Sequence, residues 1–256
     1  MKRLDRHLEA MRDYYETIFK PDHPITAVSI VRVCKNRDTY IGYGAPPTSG
    51  GYWSDRAHAL VIYHSKEVDQ NETFVVISHE AFHQYIFYFY GELDPHSWYN
   101  EGHGDYFGGV VMDPTGGRVQ KIAPLDATHY PRLSTIREEV RKNSFVTLKK
   151  FMQWSQREYY GGEALDHYAQ GWSIVYFLRN GHKEGAKVDP KWSRMLDEYL
   201  KNLVAARDQI NADAGGRHVF DMDTQAQHQG FAATFKDWTD EDWAAFEGAW
   251  KKFYGG

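Results

Sequence analysis

Apolar residues near the start of the chain recur at the spacing of an α-helix. This spacing predicts an amphipathic first helix whose apolar face carries Leu4, Leu8, Met11, Tyr15 and Ile18. Two further apolar runs, residues 25–34 and 57–64, predict strands, and the first of them is expected to be mostly buried. Residues 42–51, rich in glycine and proline, predict a loop between them. A rim position would let the second strand pair with an extended peptide, and an edge strand that binds nothing is an equal alternative.

Residues 71–91 predict a helix that is apolar on almost every face and is therefore expected to be buried. Asp69 followed three positions later by Glu72 is a helix-start pattern, and Gly91 is a typical helix stop. Residues 97–111 predict a second helix that contains four glycines. Those glycines lower its helix propensity but allow another helix to approach closely.

The remainder of the chain predicts mainly helices. Helical patterns cover residues 147–159, 163–180, 190–212 and 239–253, whereas residues 214–231 predict a long loop. Thr239 with Asp242 three residues later predicts a capping box for the last helix. The fold class expected is α+β. A small mixed β-sheet lobe with the buried helix would span residues 1–115, and a mainly helical lobe at residues 116–256 would close a cleft over it, forming one catalytic unit.

Composition narrows the classes of partner. The 256 residues carry a formal charge of −5 and no basic cluster, which argues against nucleic acid or an anionic membrane as a partner. Cys34 is the single cysteine, so the sequence offers neither a disulfide framework nor a cysteine-based metal site. No apolar run is long enough to span a bilayer and the first residues are not signal-like, which is typical of a cytoplasmic chain or of a domain from a longer protein.

The buried helix contains the string His-Glu-Ala-Phe-His at residues 79–83. Histidines four residues apart lie on the same face of a helix, so His79 and His83 can both reach one metal ion. Glu101, 18 residues further on in W-Y-N-E-G-H-G-D-Y-F, is the third candidate ligand. Two imidazoles and one carboxylate are typical of a zinc ion with a fourth position open for water. The alternative is a pair of core histidines satisfied by ordinary hydrogen bonds.

Three polar residues beside these ligands are candidates for further roles. Glu80 points about 100° around the helix from His79, and its carboxylate is the candidate general base for metal-activated water. Asp105, one helical turn after Glu101, is expected to accept a hydrogen bond from a ligand histidine and so fix its tautomer, with a solvated acid as the alternative. His103 is expected to face away from the metal, either lining the cleft or exposed to solvent.

Hydrolysis through a tetrahedral intermediate also needs a donor for the developing oxyanion. The helix predicted from residue 163 offers Tyr168, with His167 as its substitute. A tyrosine on a core helix is more often a packing residue, and the residues alone do not choose between these alternatives.

His79-Glu80-x-x-His83 followed by Glu101 resembles the gluzincin branch of the zinc metallopeptidases. The phrase W-Y-N-E-G-H-G-D-Y-F is similar to the W-L-x-E-G-x-A-x-Y-F segment of peptidase MA-like domains and of the aminopeptidase/leukotriene-hydrolase group. The position of Asp105, four residues after Glu101, is similar to that of an Asp in thermolysin-like enzymes. The resemblance covers roughly residues 57–109 and, more weakly, 163–178. It implies a zincin-like fold, three ligands to one zinc ion, Glu80 as the base and Tyr168 as the oxyanion donor.

Two departures from the family pattern bear on the expected activity. Gly102-His103-Gly104 replaces the usual Gly-x-Ala, and the G-x-M-E-N segment that captures a substrate amine in the aminopeptidases is missing. We therefore expect zinc-dependent hydrolysis of peptide bonds inside a peptide or protein substrate rather than at its end. Two alternatives stay open: a zinc-bearing peptide-recognition module with vestigial catalysis, and a zinc hydrolase of a non-peptide amide or ester.

Overall fold

The computed structural model describes residues 2–21, 24–28, 30–64, 70–91, 93–127, 131–215, 217 and 219–256. The chain forms two compact units, Met1–Glu92 with His103–Ala123, and Leu93–Gly102 with Pro124–Gly256. Its described residues form a mixed α+β structure with a small sheet and a mostly helical C-terminal part. The division into lobes at residue 115 stays a prediction.

The first unit contains three helices and five strands in its described residues. In chain order these are α1 (Lys2–Ile18), β1 (Ile30–Cys34), α2 (Arg37–Gly42), β2 (Gly51–Ser54), β3 (Ala59–Tyr63), α3 (Gln70–Phe89), β4 (Val110–Met112) and β5 (Val119–Ile122). The next helix after α3, α4 (Ser97–Gly108), passes from the second unit into the first. β4 and β5 form a separate antiparallel pair.

The main sheet has the strand order β1-β3-β2. β3 is therefore the middle strand, parallel to β1 and antiparallel to β2, so the expectation that it could lie at the rim is wrong. The prediction of a mostly buried first strand is also wrong, because β1 begins at Ile30 and only Cys34 among its residues is buried. An edge strand has neighbours on one side only, which explains its exposure. β2, which the sequence analysis did not predict and of which only Gly51 falls in the predicted loop, forms the opposite edge.

Buried polar contacts attach α1 to α3. His7 Nε2 lies 2.7 Å from Ser78 Oγ, and the Ser78 hydroxyl donates to Phe74 O at 2.8 Å. The Tyr15 hydroxyl donates to Ser78 O at 2.7 Å. Since Ser78 directly precedes His79, α1 holds the backbone of α3 at the residue before its first metal-ligand candidate.

The two predicted helices around the candidate site are present with small changes of boundary. α3 begins at Gln70 and is followed by Gly91 in the left-handed region, at φ 62°, as the stop signal predicts. Asp69, the other half of the predicted start pattern, lies outside the described residues. α4 ends at Gly108, earlier than predicted, because the residues after Gly109 pair as β4 with β5.

The described part of the second unit contains the first half of α4, a short 3-10 helix at Leu125–Ala127 and α-helices of very different length. They are α5 (Arg132–Lys142), α6 (Leu148–Phe151), α7 (Gln156–Tyr159), α8 (Ala164–Asn180), α9 (Pro190–Ser193), α10 (Met195–Ala214), α11 (Met222–Thr234) and α12 (Asp240–Gly255). The loop predicted at residues 214–231 is wrong, because α11 packs along α10 there. The helix predicted at 147–159 is two short helices. The Thr239–Asp242 capping box is confirmed.

α8 is the central helix of the second unit, with most of its side chains buried. A Cβ on Gly102 would lie 2.6 Å from Gly171 O, so α4 and α8 approach each other almost backbone to backbone. Trp250 Nε1 donates to Ser173 Oγ at 3.0 Å, which attaches α12 to the same helix. Because Gly102 directly follows Glu101, this close approach also fixes the backbone of α4 beside Glu101. Within the described ranges, no helix combines the length and apolarity that crossing a bilayer requires.

The contact between His7 and Ser78 predicts an acid-sensitive stability. Burial, with the nearby Arg3 charge, lowers the pKa of His7 from 6.5 to about 4, so the unfolded chain binds this proton more readily than the folded protein. Above pH 6.5, we expect the His7 contribution to the free energy of unfolding to be independent of pH. As the pH drops from 6.5 through 4, this contribution should lower the free energy of unfolding by up to roughly 3 kcal/mol. Urea unfolding of the wild type and of His7→Gln at several pH values measures this contribution.

The variant is expected to show a shallower loss of stability with acid than the wild type. His182→Gln, a substitution at an exposed histidine, serves as the control and should keep the wild-type slope. Equal slopes for His7→Gln and the wild type would show that His7 does not carry the effect.

Candidate metal centre

Three side chains predicted as metal ligands lie close together. His79 and His83 are one turn apart on α3, with ring centroids separated by 4.7 Å. One potential ligand atom from each of His79, His83 and Glu101 lies within 4.8 Å of the other two. Among the residues that the structure describes, this is the one group of three or more His, Cys, Asp or Glu side chains with such proximity.

The group is shielded from water. His79 is 8% exposed and Glu101 6% exposed, and His83 is partly buried. A buried carboxylate is unfavourable unless hydrogen bonds or a cation compensate for its lost hydration. Imidazole nitrogens and carboxylate oxygens are also the donor atoms that transition-metal ions prefer. The group could therefore hold a metal ion.

Asp105 controls the tautomer of His79. The Nδ1 atom of His79 lies 3.0 Å from Asp105 Oδ1, and both residues are buried. A carboxylate accepts hydrogen bonds, so the contact places the imidazole proton on Nδ1 and leaves the Nε2 lone pair for a metal ion. This is the contact that the spacing of Glu101 and Asp105 predicts.

Gly104 gives the His79 ring the space that it occupies. A Cβ added to Gly104 would lie 2.8 Å from both Cε1 and Nε2 of His79 and 2.9 Å from Cδ2. These distances are shorter than a Cβ can tolerate, so even alanine would displace the ring. Gly104 thus sets how closely His79 approaches α4.

His103 is a core residue. The expectation that it lines a cleft or faces solvent is wrong, because its side chain is fully buried. Its ring stacks on Phe82 at a centroid distance of 5.4 Å and on Phe107 at 6.1 Å. Glu101 and Asp105 on α4 therefore belong to the candidate metal site, whereas His103, which lies between them in sequence, belongs to the aromatic core.

Glu80 lies beside the ligand candidates and is held by the sheet. Its Oε2 atom accepts a hydrogen bond of 2.9 Å from the backbone N–H of Trp53 in β2. A Cβ on Gly51 would come within 3.1 Å of Glu80 Cγ, so β2 packs directly on this side chain. One carboxylate oxygen is thereby fixed by an edge strand that the sequence reading missed.

Tyr160 is the residue that sequence reasoning missed altogether. Its hydroxyl donates to Glu101 Oε1 at 2.5 Å. Although 45% of the residue is exposed, desolvation of the hydroxyl raises its pKa well above 10, and the Glu101 charge raises it further. The Gly161-Gly162 pair was the available signal, since two adjacent glycines predict a turn and functional residues often lie in such connecting segments.

Tyr168 and His167 lie next to this turn. The Tyr168 ring is 6.3 Å from the Tyr160 ring and carries the Arg132 guanidinium 5.1 Å above it. The Nδ1 atom of His167 lies 2.7 Å from Tyr159 O, so His167 supports the turn. The hydroxyl of Tyr160 contacts Glu101, and the role of Tyr168 as oxyanion donor stays a prediction.

The fold and the site together define a mixed α+β protein with a buried His–His–Glu group that could hold a metal ion. Residues 73–188 match a protein family described as "Protein of unknown function (DUF1570)". The matched segment contains His79, Glu80, His83, Glu101, Asp105, Tyr160 and Tyr168. No curated protein matches the chain. The similarity is to a family whose description assigns no activity, so the function has to be argued from the site.

Gly104→Ala should weaken metal binding without unfolding the protein. The new methyl group would push the His79 ring out of place, whereas alanine in a helix is otherwise favoured over glycine by about 1 kcal/mol. We expect the metal dissociation constant to rise about tenfold or more, measured by competition with a chelator of known affinity. Gly248→Ala on α12, where nothing lies within 4 Å of the added Cβ, is the matched control. Identical affinities for the two variants would contradict the steric role of Gly104.

Asp105→Asn tests the hydrogen bond to His79. An amide oxygen can still accept from Nδ1 but carries no negative charge, so the imidazole becomes a weaker donor to the metal. We expect metal affinity to fall about 10–100-fold, the usual effect of changing such a partner. Isothermal titration of the metal-free protein measures the change. An unaltered affinity would mean that Asp105 does not act on the ligand.

Proposed function

We propose that this protein is a zincin-like metallopeptidase that hydrolyses peptide bonds within a peptide or protein substrate. The observation that carries the proposal is the group of His79, His83 and Glu101, buried and within 4.8 Å of one another, with Glu80 adjacent in sequence. The gluzincin resemblance supplies the reaction class, and the missing amine-capture segment favours internal cleavage.

The residues present fit a zinc ion. Two imidazoles with one carboxylate form a three-residue ligand set of the kind found in catalytic zinc sites. Ligand atoms around a tetrahedral zinc ion are separated by roughly 3.4 Å, given bonds of about 2.0–2.2 Å. The three side chains, at up to 4.8 Å, would need only a small contraction to reach that separation. Asp105 supports the fit because it keeps Nε2 of His79 free of a proton.

Glu80 is the proposed general base. When bound, a zinc ion supplies Lewis acidity, which polarises a carbonyl oxygen and lowers the pKa of a water molecule to about 7. The Glu80 carboxylate would accept the proton from that water during attack and deliver it to the leaving amine. Trp53 N–H holds one oxygen of Glu80, which restrains the carboxylate in this proposed role.

Tyr168 keeps its proposed role as donor to the developing oxyanion. The role is supported by the family spacing and by its place beside Tyr160, whose hydroxyl contacts Glu101. A donor at this position would stabilise the tetrahedral intermediate more strongly than the planar substrate. The conformational freedom of Tyr168 is limited by the Arg132 guanidinium on its ring.

Glu80→Gln should separate metal binding from catalysis. The amide keeps the size of the side chain but cannot accept a proton from water, so we expect zinc content to be retained and cleavage to fall roughly 10²–10⁴-fold. Elemental analysis of the purified protein followed by a peptide-library screen, with and without chelator, measures both quantities. Glu72→Gln, at an exposed glutamate two turns earlier on α3, is the matched control and should cleave normally.

The outcomes separate the competing functions. Zinc at one equivalent with chelator-sensitive peptide cleavage supports the peptidase. Zinc and peptide binding without cleavage would instead indicate a recognition module, and cleavage of model esters or amides alone would indicate a non-peptide substrate. A protein that contains no stoichiometric metal and binds none would overturn the proposal.

A further inference from the structure

Tyr160 makes a contact that the proposed chemistry does not use. Its hydroxyl donates to Oε1 of Glu101, the one carboxylate among the three ligand candidates. We propose that Tyr160 is a positioning residue that holds Glu101 by one oxygen, so that Glu101 binds the metal ion through a single oxygen and a coordination position stays open. The inference rests on the metal site of the proposed function and not on peptide hydrolysis.

The chain positions Tyr160 with several independent contacts. A capping box between Ser155 and Glu158 begins α7, which ends one residue before Tyr160. Tyr159 is fully buried, and its carbonyl oxygen lies 2.7 Å from His167 Nδ1 on α8. Gly162, at φ 56°, then turns the chain through the left-handed region into α8. The backbone on both sides of Tyr160 is thus restrained, which is what a positioning role requires.

The pattern of exposure distinguishes this role from simple packing. A tyrosine that served the core would bury its ring, yet 45% of Tyr160 is exposed. The part of the side chain removed from water is the hydroxyl, which meets the buried carboxylate. A phenol donating to a carboxylate forms a short, charge-assisted bond of roughly twice the strength of a neutral one. The hydroxyl, through its hydrogen bond to Glu101, is therefore the part of Tyr160 that makes the specific contact.

The effect on metal binding follows from the two oxygens of a carboxylate. With both oxygens free, a carboxylate can bind a divalent ion through one or both of them. A hydrogen bond to one oxygen lowers the electron density that it offers and fixes the plane of the carboxylate. Glu101 would then present its second oxygen to the ion, and the coordination position that bidentate binding would fill remains available for water or substrate.

Three tyrosine-to-phenylalanine variants test the assignment. Tyr160→Phe removes the donor, Tyr168→Phe removes the proposed oxyanion donor, and Tyr43→Phe is the matched control, since Tyr43 is also 45% exposed. We expect Tyr160→Phe to weaken zinc binding about 10–100-fold, measured by chelator competition, and the other two variants to bind zinc like the wild type. X-ray absorption at the zinc edge should show a carboxylate bound through both oxygens in Tyr160→Phe alone, and through one oxygen in the wild type and the other two variants.

A double-mutant cycle shows whether Tyr160 acts through Glu101. In the Glu101→Gln background, where the second oxygen is replaced by an amide nitrogen, Tyr160→Phe should cause little further loss of zinc affinity. An equal loss in both backgrounds would indicate a general structural effect and overturn the assignment. Thermal unfolding of each metal-free variant identifies any that fail to fold, and the cycle is then repeated with Tyr160→Leu.

The result is independent of the peptidase assay. Unchanged zinc affinity and coordination in a folded Tyr160→Phe would overturn the role of Tyr160 while leaving the hydrolase proposal intact. Weakened zinc binding without any cleavage by the wild type would support the role of Tyr160 and overturn the peptidase. Absence of zinc binding by the wild type would overturn both.

Discussion

Two imidazoles and a carboxylate buried within 4.8 Å of one another are the constraint on which the arrangement of the site depends. Polar groups removed from water are destabilising unless partners compensate, and such partners must be placed with hydrogen-bond precision. The surrounding contacts meet this requirement. Asp105 accepts from His79, Tyr160 donates to Glu101, and Trp53 donates to Glu80. Each of these three partners comes from a different element of the structure.

The site also depends on two glycines of α4 that allow other groups to approach its backbone closely. Gly104 lets the His79 ring lie where a Cβ would otherwise stand, and Gly102 lets α4 approach α8 at the residue after Glu101. Glycine weakens a helix by up to about 1 kcal/mol per residue. These two positions therefore reduce the stability of α4 locally, but they allow the His79 ring and α8 to approach it closely. Aromatic packing compensates on the other face of α4, where the His103 ring stacks on the rings of Phe82 and Phe107.

The proposed chemistry and the proposed role of Tyr160 divide the site into two kinds of residue. Glu80 and Tyr168 are assigned to protons and charge that appear during reaction, whereas Asp105 and Tyr160 are assigned to the ligands themselves. Hydrogen-bonded partners of metal ligands set the orientation and basicity of those ligands. A site with both ligand types supported in this way, one imidazole and one carboxylate, would be preorganised for a metal ion.

The short-range signals at the candidate site and at the start of α12 were reliable. The spacing of His79 and His83 places them on one face because helix geometry repeats every 3.6 residues, and the Thr239–Asp242 capping box forms within a single turn. The same periodicity placed Glu101 and Asp105 one turn apart on α4, which made the contact between Asp105 and His79 predictable. These inferences need only local geometry.

Long-range pairing was decided by the tertiary structure. The sequence could not show that β3 is the middle strand, that residues 222–234 pack as α11 along α10, or that Trp53 reaches Glu80. Tyr160 is the clearest case, since it contacts Glu101 over a sequence separation of 59 positions and lies in a turn that has no periodic pattern. Periodicity describes which residues share a face, but which faces meet depends on the packing of elements far apart in sequence.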